Sequence, residues 1–308
     1  ASKNGILVKG GNYLDALTKV KNVLFDKTGT LTKGNFKISE INAYGMSKEE
    51  LLELQRILIL NTGGTISMSE DQTTGKVSPT DSNPIGIGGN LFSYIGDLYV
   101  EDLYHLASPQ ITEREMLGIK NRIEEAIKEG YNGIIITHGT DTLEETAYFL
   151  ELTLDTNIPV VVTGAMRSSN EIGADGLANL RSSLVVATSD DSCDKGVLVV
   201  MNDEVHTATY VTKTHTTNVA TFQTPTFGPI GLVSKNNVIY FQKLIKQEHY
   251  DVNGFGKKVF LLKAYAGMGA ELITAVANLG ADGLVIEALG AGNLPPRTVP
   301  AIKECIKN

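Results

Sequence analysis

Short, continuous apolar runs recur along most of the chain: Ile57–Leu60, Gly133–Thr137, Pro159–Thr163, Val197–Met201, Val259–Lys263 and Gly283–Glu287. Runs this short, without polar alternation, fit strands covered on both faces. Segments with helical spacing lie between most of them. Thr112 and Glu115 have the spacing of a capping box. Ile119, Ile123 and Ile127 then fall on one helical face, and Gly130 ends the pattern. Thr142–Leu154, Ala174–Val186 and Glu271–Leu279 are the other expected helices. Strands alternating with helices predict βαβ units. The expected fold class is α/β, a mostly parallel sheet with helices on both faces, followed by a smaller α/β domain. The stretch 70–90 carries Gly, Thr, Ser, Asp and Pro without apolar period and predicts a long loop, a length common in functional loops.

The first fifty-odd residues follow a different pattern. Gly5–Gly10 is a short apolar run, Leu14–Val20 suits a turn or two of helix, and Asn22–Asp26 suits a strand ending in an acid. Ser47 and Glu50 form a second capping-box pattern ahead of Leu51, Leu52 and Leu54. The pattern changes at Gln55–Arg56, which divides the chain into 1–54, a larger domain over 56–245 and a smaller one over 246–308.

Charge and composition narrow the partners. Acids outnumber bases to a net charge of −8, which argues against nucleic acid, whose phosphates need Lys and Arg. No apolar run approaches the roughly 18 residues of a membrane span. Cys193 and Cys305 form no CxxC and no metal-ligand spacing. Two unpaired thiols fit a reducing compartment, and no charged-then-apolar leader is present, so the expected location is cytoplasmic.

Three loops, each following a buried strand, concentrate the polar chemistry, where open α/β sheets bind ligands. They are Asn61–Ile66, Thr137–Thr142 and Val211–Lys213. A threonine hydroxyl is a weak nucleophile and needs help to lose its proton. A lysine beside a second threonine can take that proton, directly or through water. A carboxylate can hold the lysine and bind a substrate ammonium. Glycines let backbone N–H groups approach a developing oxyanion. From spacing alone, Gly63-Gly64 equally suits a tight turn, and Asp141 with Glu144 equally suits a helix N-cap. His138 has no second histidine or acid at ligand spacing and reads as a structural residue.

Thr62-Gly63-Gly64-Thr65-Ile66 and His138-Gly139-Thr140-Asp141-Thr142 resemble the two signature motifs of the bacterial-type L-asparaginase family. The resemblance continues through Glu144–Leu150, Gly164–Arg167, Ala174–Gly176, Val197–Asp203, Val211–Phe222 and Gly290–Leu294, covering about 56–308. It implies an amidohydrolase acting on L-asparagine, and on L-glutamine more slowly, through a threonine acyl-enzyme and without metal or organic cofactor. It places Thr65 as the nucleophile, with Thr140, Asp141 and Lys213 as the second threonine, aspartate and lysine. Gly64, Ser108 and Gly139 would bind substrate, and Ala165 would line the pocket. It also implies a homo-oligomer. Some positions depart from the family: no tyrosine falls within 70–90, Pro109 follows Ser108, and Gly267 stands where some relatives have asparagine. Relatives continue through further strand–helix units after the position of Asn308, which leads to the expectation of uncovered apolar surface and weakened activity.

Asp26-Lys27-Thr28-Gly29-Thr30-Leu31-Thr32 resembles the phosphorylation motif of P-type cation-transporting ATPases. Lys3–Gly11 and Leu14–Leu24 resemble the approach to it in the heavy-metal subgroup. That resemblance implies an aspartate, Asp26, phosphorylated by ATP with magnesium. The stretch 1–54 carries none of that family's partner carboxylates, so it is expected to be a fragment without a core of its own, joined to the asparaginase-like part. The other readings are therefore a transport-ATPase fragment, an asparaginase-like subunit of a tRNA-dependent amidotransferase, and an inactive fusion product.

Overall fold

The computed structural model describes residues 55–70, 73–74, 77–79, 92, 95–243 and 248–307. Asp26, its motif and the other expectations for 1–54 lie outside the described residues. The chain enters β1 (Arg56–Gly63), β2 (Met68–Glu70), β3 (Val77–Pro79) and β4 (Asp97–Leu106), then α1 (Glu113–Lys128) and β5 (Gly133–Thr137). α2 (Leu143–Thr153), β6 (Val160–Thr163), α3 (Gly176–Ala187), β7 (Val197–Met201) and β8 (Glu204–Thr207) follow. After them come β9 (Thr212–Lys213), β10 (Phe222–Gln223), β11 (Gly231–Ser234) and β12 (Asn237–Tyr240). The last elements are β13 (Val259–Lys263), α4 (Glu271–Asn278), β14 (Gly283–Glu287) and α5 (Val299–Lys307).

The main sheet has eight strands in the order β12-β11-β8-β7-β6-β5-β1-β4. β4, β1, β5, β6 and β7 are parallel neighbours, while β8, β11 and β12 extend the sheet antiparallel. The α/β class and mostly parallel sheet expected from the sequence are both present. Strand alternation sorts the apolar residues to two faces. Leu58, Leu60, Ile134, Ile136, Val160 and Val162 pack with Ile119 and Ile123 of α1 and Leu143, Ala147 and Leu150 of α2. Ile57, Ile59, Ile135, Val161, Leu198 and Val200 pack with Leu180 and Leu184 of α3 on the other face. Cover on both faces is why these strands read as unbroken apolar runs.

α1 starts as its sequence predicts. The Thr112 hydroxyl accepts from the Arg114 amide, and Glu115 reaches back to the Thr112 amide at 3.0 Å. One expectation needs correction. The stretch expected to be a long loop contains β3, paired antiparallel with β2. Its Gly- and Ser-rich text has no apolar period, but Val77–Pro79 forms a ladder that periodicity does not reveal. Residues 258–307 contain a parallel pair, β13 and β14, with α4 between them in sequence. Ala264, Met268 and Ile273 are buried there, with Leu262, Leu284 and Ile286 packed against them.

The parallel strands position the site. From β1 the chain moves to β4 on one side, while β5, β6 and β7 build outward on the other. The carboxyl ends of β1 and β5 therefore flank a topological switch point, where α/β sheets open a crevice.

Candidate active site

β1 ends in two glycines that the fold requires. Gly63 and Gly64 have φ of 109° and 79°, a region that L side chains avoid. A Cβ on Gly64 would lie 2.4 Å from the Gly139 Cα, and one on Gly63 2.4 Å from the Leu106 oxygen. The turn after β1 is thus pressed against the ends of β5 and β4. A single turn of 3-10 helix, Thr65–Ser67, follows. Asn61, buried at the end of β1, holds this corner. Its Oδ1 accepts from the Gly63 amide at 3.1 Å, the Ser67 hydroxyl at 2.8 Å and the Thr137 hydroxyl at 3.0 Å. Its Nδ2 donates to Asp102 on β4 at 2.7 Å.

The end of β5 carries His138 to Thr142. His138 is fully buried; its Nδ1 lies 2.7 Å from the Gly139 carbonyl and its Nε2 2.9 Å from the Thr146 hydroxyl. A carbonyl only accepts, so Nδ1 carries the proton and Thr146 donates to Nε2. Burial pushes the imidazole below its ordinary range, against the opposing pull of the Gly139 carbonyl. His138 is a neutral, satisfied core residue, as its isolation in sequence suggests. The N-cap of α2 is Thr142, not Asp141. The Asp141 amide donates to the Ser108 hydroxyl at 3.1 Å, and the Thr142 hydroxyl donates to the Ser108 carbonyl at 2.8 Å. Ser108 sits in the 3-10 turn after β4 and is 4% exposed, so these two bonds fasten β4 to the β5 loop.

Lys213 comes from farther along the chain. It lies in a two-residue strand, β9, and not in a loop, and pairs with Phe222 of β10. Its Nζ donates to the Thr140 hydroxyl at 3.0 Å and to Asp141 Oδ1 at 2.8 Å. The lysine side chain is 16% exposed and the aspartate 63%, so the ammonium is mostly enclosed while the carboxylate faces solvent. The Lys213 main-chain amide donates to the Glu144 carboxylate.

After β6, Asp175 accepts from the Met166 amide at 3.0 Å and the Arg167 amide at 2.9 Å, which fixes that turn. Asn179 braces it by donating to Asp175 and to the Gly164 carbonyl, each at 3.0 Å. These turns meet in one cleft of about 230 Å³. It is lined by Thr65, Thr140, Asp141 and Lys213, by Gly64, Ser108 and Gly139, and by Met68, Ala107, Pro109, Met166 and Thr216. This volume is below the roughly 300–1,000 Å³ of sites for drug-sized molecules, so it suits a small metabolite. Of the catalytic and substrate-binding residues that the family resemblance implies, Ala165 alone among the described ones is outside the lining. Its methyl is fully buried in the α3-side core with Ile66, and Met166 forms the wall in its place. Met68, Met166 and Thr216 carry no chemical signature, and only their places beside the motifs point to them.

Residues 56–246 match the family described as Asparaginase, N-terminal, and residues 258–308 match the Glutaminase/Asparaginase C-terminal domain. The chain is 32% identical over 255 residues to an L-asparaginase of Bacillus licheniformis, covering 82% of this chain and 79% of that protein. It is 38% identical over 256 residues to L-asparaginase 2 of Escherichia coli, covering 79% and 72%. A glutaminase-asparaginase of Pseudomonas fluorescens is 32% identical over 278 residues, covering 87% and 76%. Among solved structures, one named as a probable cytoplasmic L-asparaginase from Campylobacter jejuni superposes with a TM-score of 0.77 at 33% identity, covering 82% of this chain and 81% of that one. With two family domains matched in order and relatives aligned over most of their length, the chain belongs to the asparaginase family.

Proposed function

We propose that this protein is an amidohydrolase that converts L-asparagine to L-aspartate and ammonia through an acyl-enzyme on Thr65. One observation carries the reading: Thr65 and the Thr140–Lys213–Asp141 chain line the same small cleft. The exposed Asp141 carboxylate receives the substrate ammonium. Ser108 spends its oxygen on the Asp141 amide and keeps its proton to donate to the substrate α-carboxylate. The Thr65 hydroxyl attacks the side-chain amide carbon. Glycine at 64 and 139 brings main-chain N–H groups close enough to hold the oxyanion. The C–N bond breaks, and ammonia leaves with the proton that Thr65 gave up. Water then adds to the ester and the C–O bond breaks, so aspartate leaves and the Thr65 hydroxyl is restored. Thr140 and Lys213 relay protons in both steps, because the Lys213 Nζ bonds directly to the Thr140 hydroxyl.

L-Glutamine, one methylene longer, is turned over more slowly, a difference of about 1–3 kcal/mol in such a pocket. The reading includes a homo-oligomer and a cytoplasmic location, a word carried by the Campylobacter jejuni neighbour's name, while a Haemophilus influenzae relative is named periplasmic. The Asp26 motif takes no part in this chemistry.

The test is ammonia release from L-asparagine by the purified chain beside Thr65→Ala. The expected result is release by the parent and loss by at least about 1,000-fold in the variant. Equal rates in both would remove Thr65 from the mechanism.

A further inference from the structure

We infer that Glu144 is a positioning residue for Lys213, holding the lysine's main chain so that its ammonium meets Thr140 and Asp141. The functional consequence rests on the amidohydrolase reading above.

β9 is only two residues long and pairs on one side with β10. In an antiparallel pair, successive residues point their amides alternately toward and away from the partner. The Thr214 amide donates to the Thr221 carbonyl at 2.8 Å, so it points toward that partner segment. The neighbouring Lys213 amide therefore points away, with no ladder partner on that side among the described residues. Such a half-buried donor is costly to leave unmade. The Glu144 carboxylate takes it, and a charged acceptor makes this bond stronger than an ordinary ladder bond. Glu144 sits in the first turn of α2, where the helix N-terminus favours a carboxylate.

The same stretch grips the lysine at its other end. Thr140 and Asp141 take the Nζ at 3.0 and 2.8 Å, while Glu144, three residues after Asp141, takes the main-chain N. A flexible four-carbon stem is thus held at both ends by one short segment. Glu144 is not part of the cleft lining, so it acts through Lys213 and not on substrate. If the Glu144 bond were lost, the Lys213 main chain would be held from the β10 side, by the pairing with Phe222 and the Thr214–Thr221 bonds, and a shift of about 1 Å would separate Nζ from Thr140.

The test compares Glu144→Ala, Glu144→Gln and Glu144→Asp, with the exposed neighbour change Glu145→Gln as control. In ammonia release from L-asparagine, Glu144→Ala is expected to lower kcat about 100-fold while KM changes less than about threefold. Glu144→Gln keeps an acceptor oxygen and recovers about tenfold of that loss, and Glu145→Gln matches the parent. Amide hydrogen exchange without substrate reads the contact itself. The Lys213 amide should be protected in the parent and exposed in Glu144→Ala, with β5 amides protected in both. Parental kcat in Glu144→Ala, or unchanged exchange at Lys213, would overturn the inference. If Glu144→Ala does not fold, Glu144→Asp decides. It keeps the charge on α2 but withdraws the oxygen by one methylene, and parental kcat there also overturns the inference. A parent that releases no ammonia from L-asparagine would overturn the amidohydrolase reading instead, and exchange at Lys213 would then decide the positioning role alone.

Discussion

β7 and β13 have nearly the same sequence character, Val-Leu-Val-Val-Met against Val-Phe-Leu-Leu-Lys, yet they sit in different surroundings. Every residue of β7 is buried. On β13 the pattern alternates, with Val259 57% and Leu261 68% exposed, and on its partner β14, Val285 is 54% exposed. An unbroken apolar run therefore marks a strand suited to cover on both faces, but does not supply the cover. The main sheet finds it within the chain, from α1 and α2 on one face and α3 on the other. The β13–β14 pair finds it on one face only among the described residues.

The comparison is broken most directly by removing side chains from each region. Ile135, fully buried on β5, is expected to cost about 2–5 kcal/mol on truncation to alanine, read from the urea midpoint. A cost below about 1 kcal/mol would mean that the main sheet is packed no more tightly than the small one.

Two glycines sharpen the contrast at the level of the backbone. Gly64 and Gly267 have φ of 79° and 86°, so alanine is strained at both. At Gly64 the new methyl also meets the Gly139 main chain at 2.4 Å, whereas at Gly267 no described residue lies within 4 Å. Gly64→Ala should displace Thr65 and lower kcat/KM about 100-fold. Gly267→Ala should cost only the backbone strain of about 1–2 kcal/mol and leave kcat/KM within about twofold. Equal kinetic losses would show that strain, not the close approach to Gly139, is what matters at Gly64.

Acid separates the regions next. Burial is the largest influence on both His138 and His206 and holds them below the ordinary histidine range, although Glu204 beside His206 pulls the other way. A depressed folded pKa means that the unfolded chain binds more protons below the unfolded value of about 6.5. Stability is therefore complete above that pH and is lost as pH falls, by about 1.4 kcal/mol per pH unit for each histidine. Residues 258–307 contain no histidine, so the loss belongs to the main-sheet region. Urea unfolding at pH 7 and 5.5 should show it, and His138→Gln should remove about half of the slope. An unchanged slope would assign the acid response to other groups.

How far the sequence reveals all this follows from the same contrast. Buried parallel strands announce themselves: β5 and β7 span the residues that their apolar runs predict. The edge strand β4 does not, because Asp97, Glu101, Asp102 and His105 interrupt its apolar residues on a half-exposed surface. The antiparallel extension is equally quiet as an apolar pattern. Its signal lies in a turn, Asn202-Asp203, where both residues take positive φ and fold β7 back into β8. In the cleft, the residues proposed to carry the chemistry are recognisable from two motifs and a lysine. Asn61, Asp175 and Glu144, which hold those residues in place, are ordinary polar side chains whose partners are 41 residues away for Asp102 and 69 for Lys213. Nothing local in sequence encodes such a pairing.

The smallest expected effect tests the least covered face. In an isolated chain, Leu261→Ala removes a side chain already two-thirds in water, so its cost should stay within about 0.5 kcal/mol. The β13 run is nevertheless apolar on that face, as if built for contact. If a second copy of the chain covers Leu261 and Val285, the same substitution should cost about 2 kcal/mol. Stability of the parent should then rise with protein concentration, because association stabilises the folded state by mass action. Unfolding at two concentrations a hundredfold apart, beside sedimentation of the parent and Leu261→Ala, separates the cases. A small, concentration-independent cost leaves β13 exposed, whereas a larger one that shrinks on dilution means that its apolar run is matched by cover from another subunit.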